Sequence, residues 1–221
     1  MAATDSSIDQ QLISAVTDYV KEYMANYDGS HDFNHIQRVL ALAQHIHAQS
    51  PATPSRDPQV VVLSALLHDV GDKKYLKPGE ETSTLVYNVL RSLGAEEQLA
   101  QKVQAVCLGV SYSSEIKDPA RVQELIKAYP ELAVVQDADR LDAIGSIGIG
   151  RVFTFTGART KGSMNDSIQH FHDKLLRLKD MMKTDVGRKL AEERTERMQS
   201  FLGWWAEEAA LSSGSPVSAS A

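Results

Sequence analysis

One apolar run that ends in two ligand-type side chains constrains this chain most. Residues 60–67 read Val-Val-Val-Leu-Ser-Ala-Leu-Leu, and His68-Asp69 follow directly. A run of this kind predicts a helix buried on all sides, whose end delivers an imidazole and a carboxylate to the interior. We expect this helix to have Asp57 as its N-cap and Pro58 as its first residue. Burying both groups is costly unless something compensates them, and a divalent metal compensates both at once. For a His-Asp pair taken alone, a solvated helix end capped by Gly71 is the alternative.

A second apolar run is likewise followed by carboxylate side chains. Residues 132–135 read Leu-Ala-Val-Val, and Asp137, Asp139 and Asp142 follow within the next seven positions. Asp139 and Asp142 are three residues apart and share one face of the predicted helix, whereas Asp137 lies on another. A solvated acidic face is the alternative, but the surrounding apolar residues leave little of this segment for water.

His35 supplies a further ligand candidate, at the start of an amphipathic helix that Ser50-Pro51 ends. A histidine on an apolar face is more often an ordinary core residue, which is the interpretation for His45 and His47. His35 differs because only a short link joins its helix to the one that ends in His68-Asp69. Two imidazoles and two carboxylates suit Mn²⁺, Fe²⁺, Co²⁺, Ni²⁺ or Zn²⁺ better than Mg²⁺, which stays an alternative.

The remaining pattern predicts an all-α fold, since no convincing strand periodicity occurs. Residues 111–114 are predicted to form a turn. The glycine-rich stretch 147–157 lacks the context of a nucleotide-binding loop and predicts close helix packing followed by a loop, with Arg151 facing inward. We expect one domain over residues 1–210 and a disordered tail over 211–221. Besides the ligand-bearing helices, the predicted helices span about 7–27 (capped by Asp5 or Ser6), 81–93, 95–108, 119–129, 166–183 and 186–210.

Composition bounds the partners. The net charge of -6, without a Lys/Arg stripe, argues against general affinity for nucleic acid. No apolar run approaches the roughly 20 residues that cross a bilayer, and we expect no membrane association. The single cysteine, Cys107, is expected to be a core thiol in a reducing compartment. We therefore expect a soluble cytoplasmic protein, with the nucleus as an alternative. Four aromatic residues belong either to the core or to a homodimer face: Phe153, Phe155, Trp204 and Trp205.

The order His, His-Asp, Asp on an all-helical chain resembles the HD-domain metal-dependent phosphohydrolase superfamily. Three fuller strings resemble its YpgQ-like branch, which includes nucleoside triphosphate pyrophosphohydrolases. The strings are residues 31–39 (His-Asp-Phe-Asn-His-Ile-Gln-Arg-Val), 66–72 (Leu-Leu-His-Asp-Val-Gly-Asp) and 136–145 (Gln-Asp-Ala-Asp-Arg-Leu-Asp-Ala-Ile-Gly).

The resemblance implies a single HD-domain helical bundle with the metal site at its centre. It implies Asp139 rather than Asp137 as the last ligand. It matches Asp72 to an acid that orients or deprotonates the attacking water, and a salt bridge of Asp72 with Lys73 or Lys74 is the alternative. Two-metal enzymes of the superfamily need extra histidines between the His-Asp pair and the last aspartate. The resemblance therefore implies one metal, because this chain has no histidine between His68 and His170. The implied metal ligands are His35, His68, Asp69 and Asp139.

With one metal, the expected reaction is hydrolysis of a phosphate ester or anhydride in a small phosphorylated substrate, and a nucleotide is the substrate that we expect. We favour cleavage of a (deoxy)nucleoside triphosphate that releases pyrophosphate. A 5′-nucleotidase or other phosphomonoesterase is one alternative, and a non-catalytic nucleotide-sensing module is the other. The negative charge that develops on the phosphoryl oxygens requires nearby Arg or Lys side chains. For each candidate side chain, a surface salt bridge is the alternative role. The candidates are Arg38, Lys73, Lys74, Arg140, Arg151 and Lys174.

Overall fold

A computed structural model describes residues 8–72, 76, 78–160 and 162–212. Every regular element in these residues is helical, which confirms the all-α class. A π-helical segment, Thr156–Thr160, follows the ninth α-helix, and a 3₁₀ segment, Leu175–Met181, precedes the last. The α-helices are α1 (Gln10–Tyr23), α2 (Phe33–Gln49), α3 (Pro58–Leu67), α4 (Leu85–Ser92), α5 (Glu97–Val110), α6 (Tyr112–Lys117), α7 (Pro119–Ala128), α8 (Glu131–Asp142), α9 (Gly145–Phe155), α10 (Met164–Asp173) and α11 (Asp185–Ser212).

Helix α3 lies at the centre of the bundle and contacts α1, α2, α5 and α8. Its residues 60–67 are all buried, as the apolar run predicted. Asp57 caps the helix by accepting hydrogen bonds from the backbone N–H groups of Gln59 (2.8 Å) and Val60 (3.4 Å), and Pro58 occupies the first turn. The predicted cap and the predicted first residue are therefore both confirmed.

Two apolar cores meet at a partition formed by α2, α3 and α8. Val60 and Leu63 of α3 belong to one core, and Val61 and Ala65 belong to the other. Helices α2 and α8 divide their apolar residues between the two cores in the same way. Side chains at the ends of these three helices therefore lie deep in the molecule.

Several predicted boundaries were wrong. Helix α1 is shorter than predicted: Asp9 accepts the capping hydrogen bond from the Leu12 backbone N–H at 3.0 Å, and the helix ends at Tyr23. The predicted caps Asp5 and Ser6 lie outside the described residues. The predicted turn at 111–114 lies largely within α6, and the helix predicted over 166–183 is divided into α10 and the 3₁₀ segment. Helix α11 extends two residues into the predicted tail, whose residues 213–221 lie outside the described residues.

The glycine-rich stretch is helical where a loop was expected, and it packs closely at one position. A Cβ on Gly148 would lie 2.3 Å from the Ala143 carbonyl oxygen, at the end of α8. A Cβ on Gly150, two residues further along α9, would meet nothing within 4 Å. Close packing is thus confirmed at Gly148 alone of the two, and the loop prediction for the following residues was wrong.

Within the described part of the chain, no helix combines the length and apolar character needed to cross a membrane.

These two glycines give a matched test of the packing between α8 and α9. We expect Gly148→Ala to lower the free energy of unfolding by about 1–3 kcal/mol, because the added methyl group overpacks a backbone contact. Gly150→Ala should be neutral or raise it by up to about 1 kcal/mol, since alanine is the better helix former and the space is open. Urea denaturation followed by circular dichroism measures both. Equal effects of the two changes would contradict the close approach.

Candidate metal centre

The four predicted metal ligands come from three helix ends at the partition. His35 lies in the first turn of α2, where Asp32 caps the helix by accepting from the His35 backbone N–H at 3.2 Å. His68 is the residue at which α3 ends, and Asp69 follows it. Asp139 lies in the last turn of α8. The structure brings together side chains that are up to 104 positions apart in the sequence, which is the separation of His35 and Asp139.

The donor atoms of this cluster have the spacing of a coordination sphere. The two Nε2 atoms of His35 and His68 are 3.3 Å apart. Asp139 Oδ1 lies 3.6 Å from the first and 3.7 Å from the second. Two donors that are each about 2.1 Å from one ion, at angles between tetrahedral and octahedral values, lie about 3.0–3.4 Å apart. These three side chains could therefore hold a metal ion with small adjustments.

The hydrogen bonds of both imidazoles leave a bare lone pair on each Nε2. His35 Nδ1 is 2.7 Å from Asp142 Oδ2, and His68 Nδ1 is 2.9 Å from the Ala65 carbonyl oxygen. An ionised carboxylate and a carbonyl only accept, so in the neutral rings both Nδ1 atoms carry the proton and both Nε2 atoms do not. Two such nitrogens facing each other cannot share a hydrogen bond. The pair therefore fits a cation between the rings, which is how metal-binding histidines are commonly oriented.

Asp69 adds negative charge beside this pair. Its Oδ2 lies 3.4 Å from His35 Nε2, and its Oδ1 lies 3.5 Å from His68 Nε2. Oδ2 is buried and makes no hydrogen bond within the described residues. Burial alone would raise the pKa of Asp69, but the neighbouring imidazoles of His68 and His35 outweigh it and hold that pKa well below its ordinary range. The carboxylate is thus ionised, and its buried Oδ2 faces the site without a hydrogen-bond partner among the described residues.

The same carboxylates act on His35. Burial alone would lower the pKa of His35, but the hydrogen bond to Asp142 and the nearby carboxylate of Asp69 outweigh this and raise it. The acids around the cluster thus stabilise positive charge next to His35. The electrostatic environment is that of a site for positive charge.

Asp137, the alternative last ligand, is engaged elsewhere. It is fully buried. Its Oδ1 accepts from the Lys183 backbone N–H at 2.8 Å, and its Oδ2 accepts from the Thr184 backbone N–H at 2.8 Å and from the Thr184 hydroxyl at 2.7 Å. Burial raises its pKa in spite of these bonds. Asp137 therefore anchors the segment that leads into α11, and Asp139 is the acid that lies in the cluster.

Two of the predicted phosphate-binding cations lie beside the cluster, and both contact Asp142. Arg38 donates from Nε to Oδ1 at 2.7 Å and from Nη2 to Oδ2 at 3.0 Å. Arg151 Nη1 lies 3.2 Å from Oδ2, and its Nε donates to the Ser30 carbonyl at 2.7 Å. Arg151 thus faces inward, as expected. One carboxylate therefore joins both arginines to His35.

Of the other predicted cations, Arg140 and Lys174 have contacts elsewhere in the structure. Arg140 is buried, with its guanidinium paired to Glu115 and donating to the Met181 carbonyl at 2.9 Å, so we assign it to packing instead of substrate binding. Lys174 Nζ lies 4.8 Å from the centroid of the Tyr112 ring. Lys73 and Lys74 lie outside the described residues. Asp72 is half-buried, and its backbone N–H donates to the Asp69 carbonyl at 3.3 Å.

Two residues at the site were missed in the sequence. Asp142 had a signal, because it shares a helix face with Asp139. Helical periodicity gave no signal for His31, because this residue lies before the first residue of α2. Its Nδ1 lies 2.7 Å from the Ser30 hydroxyl, and its ring meets the His35 ring edge-on at a centroid distance of 5.9 Å. Burial lowers the pKa of His31 to about 4.

Asp137 and Asp139 allow a matched test of these assignments. Asp137→Asn places an amide N–H₂ against backbone donors, so we expect the free energy of unfolding to fall by about 2–4 kcal/mol, with metal binding of the folded protein retained. Asp139→Asn should leave the stability of the metal-free protein within about 0.5 kcal/mol, because its side chain is partly exposed, and should lose bound metal. Denaturation curves and elemental analysis measure the two properties. The reverse pattern would make Asp137 the ligand.

Comparison with known proteins finds a matching family model, a sequence relative and similar solved structures. The family model described as HD domain matches residues 32–144. The Bacillus subtilis protein YpgQ is 36% identical over 190 residues, which cover 83% of this chain and 87% of YpgQ. The crystal structure of YpgQ in complex with ADP is similar with a TM-score of 0.71 at 33% identity, over 91% of this chain and 97% of that one. An HD-superfamily hydrolase from Bacillus thuringiensis has a TM-score of 0.65 at 30% identity, over 90% and 97% of the two chains.

Proposed function

This chain belongs to the HD domain family, as a hydrolase of the metal-dependent phosphohydrolase kind, and on that premise we propose that it cleaves nucleotide phosphate bonds. The reaction we favour is hydrolysis of a (deoxy)nucleoside triphosphate between its α and β phosphates, with release of pyrophosphate. The relative YpgQ was crystallised in complex with ADP, which supports a nucleotide with adjacent phosphates as the ligand.

The facing pair of bare Nε2 atoms, 3.3 Å apart, is the observation that carries this proposal. We assign His35, His68, Asp69 and Asp139 to hold one divalent ion. The donor set of two imidazoles and two carboxylates suits Mn²⁺, Ni²⁺, Co²⁺, Fe²⁺ or Zn²⁺, with Mg²⁺ as an alternative. When bound, such an ion lowers the pKa of a water molecule and polarises a phosphoryl oxygen.

The side chains around the cluster have two tasks in this reaction. Asp72 follows Asp69 by three residues and is half-buried, which suits a group that orients or deprotonates the attacking water. Asp142 occupies Nε and Nη2 of Arg38, and Nη1 is bonded to no described residue. Arg38 is about one-third exposed, so this nitrogen remains available to a phosphate. Arg151 adds a second guanidinium, and both oppose the charge that develops on the phosphoryl oxygens.

A product assay tests the proposed bond. The purified protein is incubated with nucleoside and deoxynucleoside mono-, di- and triphosphates in the presence of Mn²⁺, Co²⁺ or Ni²⁺. We expect each triphosphate to yield a nucleoside monophosphate and pyrophosphate in equal amounts. Release of inorganic phosphate from the nucleoside monophosphates would instead indicate a phosphomonoesterase, and binding without turnover would indicate a nucleotide sensor. Asp69→Ala is the control, and it should lose metal and activity together while the fold survives.

Asp72 is tested separately from the metal ligands. We expect Asp72→Ala to keep its metal and to lower kcat by about a hundredfold or more, which is the usual size of a general acid/base contribution. Metal content and kcat are measured on the same preparation. An unchanged kcat would assign Asp72 to a salt bridge instead.

A further inference from the structure

Asp142 is the point at which the candidate metal site and the candidate phosphate site share one residue. Its side chain is 1% exposed. Its Oδ2 accepts from His35 Nδ1 at 2.7 Å and from Arg38 Nη2 at 3.0 Å, and its Oδ1 accepts from Arg38 Nε at 2.7 Å. Arg151 Nη1 lies 3.2 Å from Oδ2. Both carboxylate oxygens are therefore used, by one imidazole and two guanidinium groups.

The charges around Asp142 do not cancel. One buried carboxylate faces the guanidinium groups of Arg38 and Arg151, and the charge of Arg194 also acts on it. Arg194 Nη1 donates to the Leu141 carbonyl, next to Asp142 in the chain. Burial would raise the pKa of Asp142, but the hydrogen bonds from His35 and Arg38 outweigh it and hold that pKa well below its ordinary range. The positive charge of three guanidinium groups thus lies around this one carboxylate, next to the metal cluster, and positive charge of this kind attracts phosphate groups.

The same carboxylate determines how His35 is presented. With Nδ1–H bonded to Asp142, the ring directs Nε2 toward His68 Nε2, 3.3 Å away. A carboxylate behind a metal-binding histidine fixes its tautomer and its orientation and raises its basicity. Loss of such a partner typically weakens metal binding by about 10–100-fold.

We propose that Asp142 is a positioning residue that holds the metal ligand His35 and the phosphate-binding residues Arg38 and Arg151 in one fixed arrangement. The arginine half of this inference rests on the proposed function, whereas the His35 half depends only on metal binding. A substrate phosphate placed by the arginines then lies at a set distance from the ion held by His35. Asp142 acts through these three side chains and does not itself contact the reacting atoms.

Substitution of Asp142 by asparagine separates this role from a merely structural one. Asparagine keeps the size of the side chain but removes its charge and one acceptor. We expect Asp142→Asn to bind Mn²⁺ about 10–100-fold more weakly, as measured by electron paramagnetic resonance of free Mn²⁺ without any nucleotide. At saturating Mn²⁺, ADP should bind about 10-fold or more weakly by calorimetry, because both arginines lose their anchor.

Two further variants provide the matched controls. Arg38→Met should weaken ADP binding by a similar factor and leave Mn²⁺ affinity within about threefold, since the carboxylate still holds His35. Asp137→Asn removes a buried carboxylate from the same helix, and its folded form should bind Mn²⁺ as the wild type does. The combination of lost Mn²⁺ affinity in Asp142→Asn and retained affinity in Asp137→Asn supports the proposal.

Wild-type Mn²⁺ affinity in folded Asp142→Asn would overturn the proposal. Weakened Mn²⁺ binding with unchanged ADP binding would overturn the coupling of the two sites. If the wild type hydrolyses no nucleotide, the proposed function fails, while the Mn²⁺ measurement still decides the role of Asp142 toward His35. Should Asp142→Asn not fold, nuclear magnetic resonance of the Zn²⁺-loaded wild type replaces it. A slowly exchanging proton on His35 Nδ1 is expected, and a proton on Nε2 would overturn the assignment.

Discussion

Two imidazole nitrogens that carry bare lone pairs face each other in the interior, 3.3 Å apart, and the rest of the site follows from that contact. Neither ring can turn away, because Asp142 holds one Nδ1 and the Ala65 carbonyl holds the other. Such an arrangement is unfavourable without a cation between the rings. The fold accepts it because both histidines lie at the partition of two apolar cores, where the packing of α2, α3 and α8 fixes their backbones.

Helix α8 shows how helical periodicity divides three neighbouring acids among three tasks. Asp137 faces the segment before α11 and accepts hydrogen bonds from two backbone N–H groups. Asp139 and Asp142 share another face, on which Asp139 meets the two histidines and Asp142 meets His35 and two arginines. Asp137 and Asp139 are two residues apart and lie on different faces of α8, so the first anchors a neighbouring segment and the second is a ligand candidate. Asp139 and Asp142 are three residues apart and share a face, so Asp142 can support the cluster to which Asp139 belongs.

The sequence predicted those parts of the fold and site that depend on local chemistry. The Asp57 cap, the buried α3 and its end at His68 follow from a capping residue, a proline and an apolar run, all within a dozen positions. The predictions failed where tertiary contacts decide. Helix α6 forms where a turn was expected, and Glu115 on it pairs with Arg140, 25 residues away, and with Lys183, 68 residues away. Because Arg140 pairs with Glu115, we assign it to packing and not to substrate binding. The residues next to Arg140 in the sequence give no sign of this ion pair.

Metal binding and folding are linked by the way in which the site is assembled. His35 and Asp142 are 107 residues apart in the chain, and they meet only when α2 and α8 have packed against α3. An unfolded chain therefore offers the ion isolated side chains, and preferential binding to the folded form stabilises it by RT ln(1 + [M]/Kd). A bound cation would thus offset the free energy that is lost when two imidazoles and two carboxylates are placed side by side. The side chains whose close approach is unfavourable without a cation are therefore the same ones that would bind it.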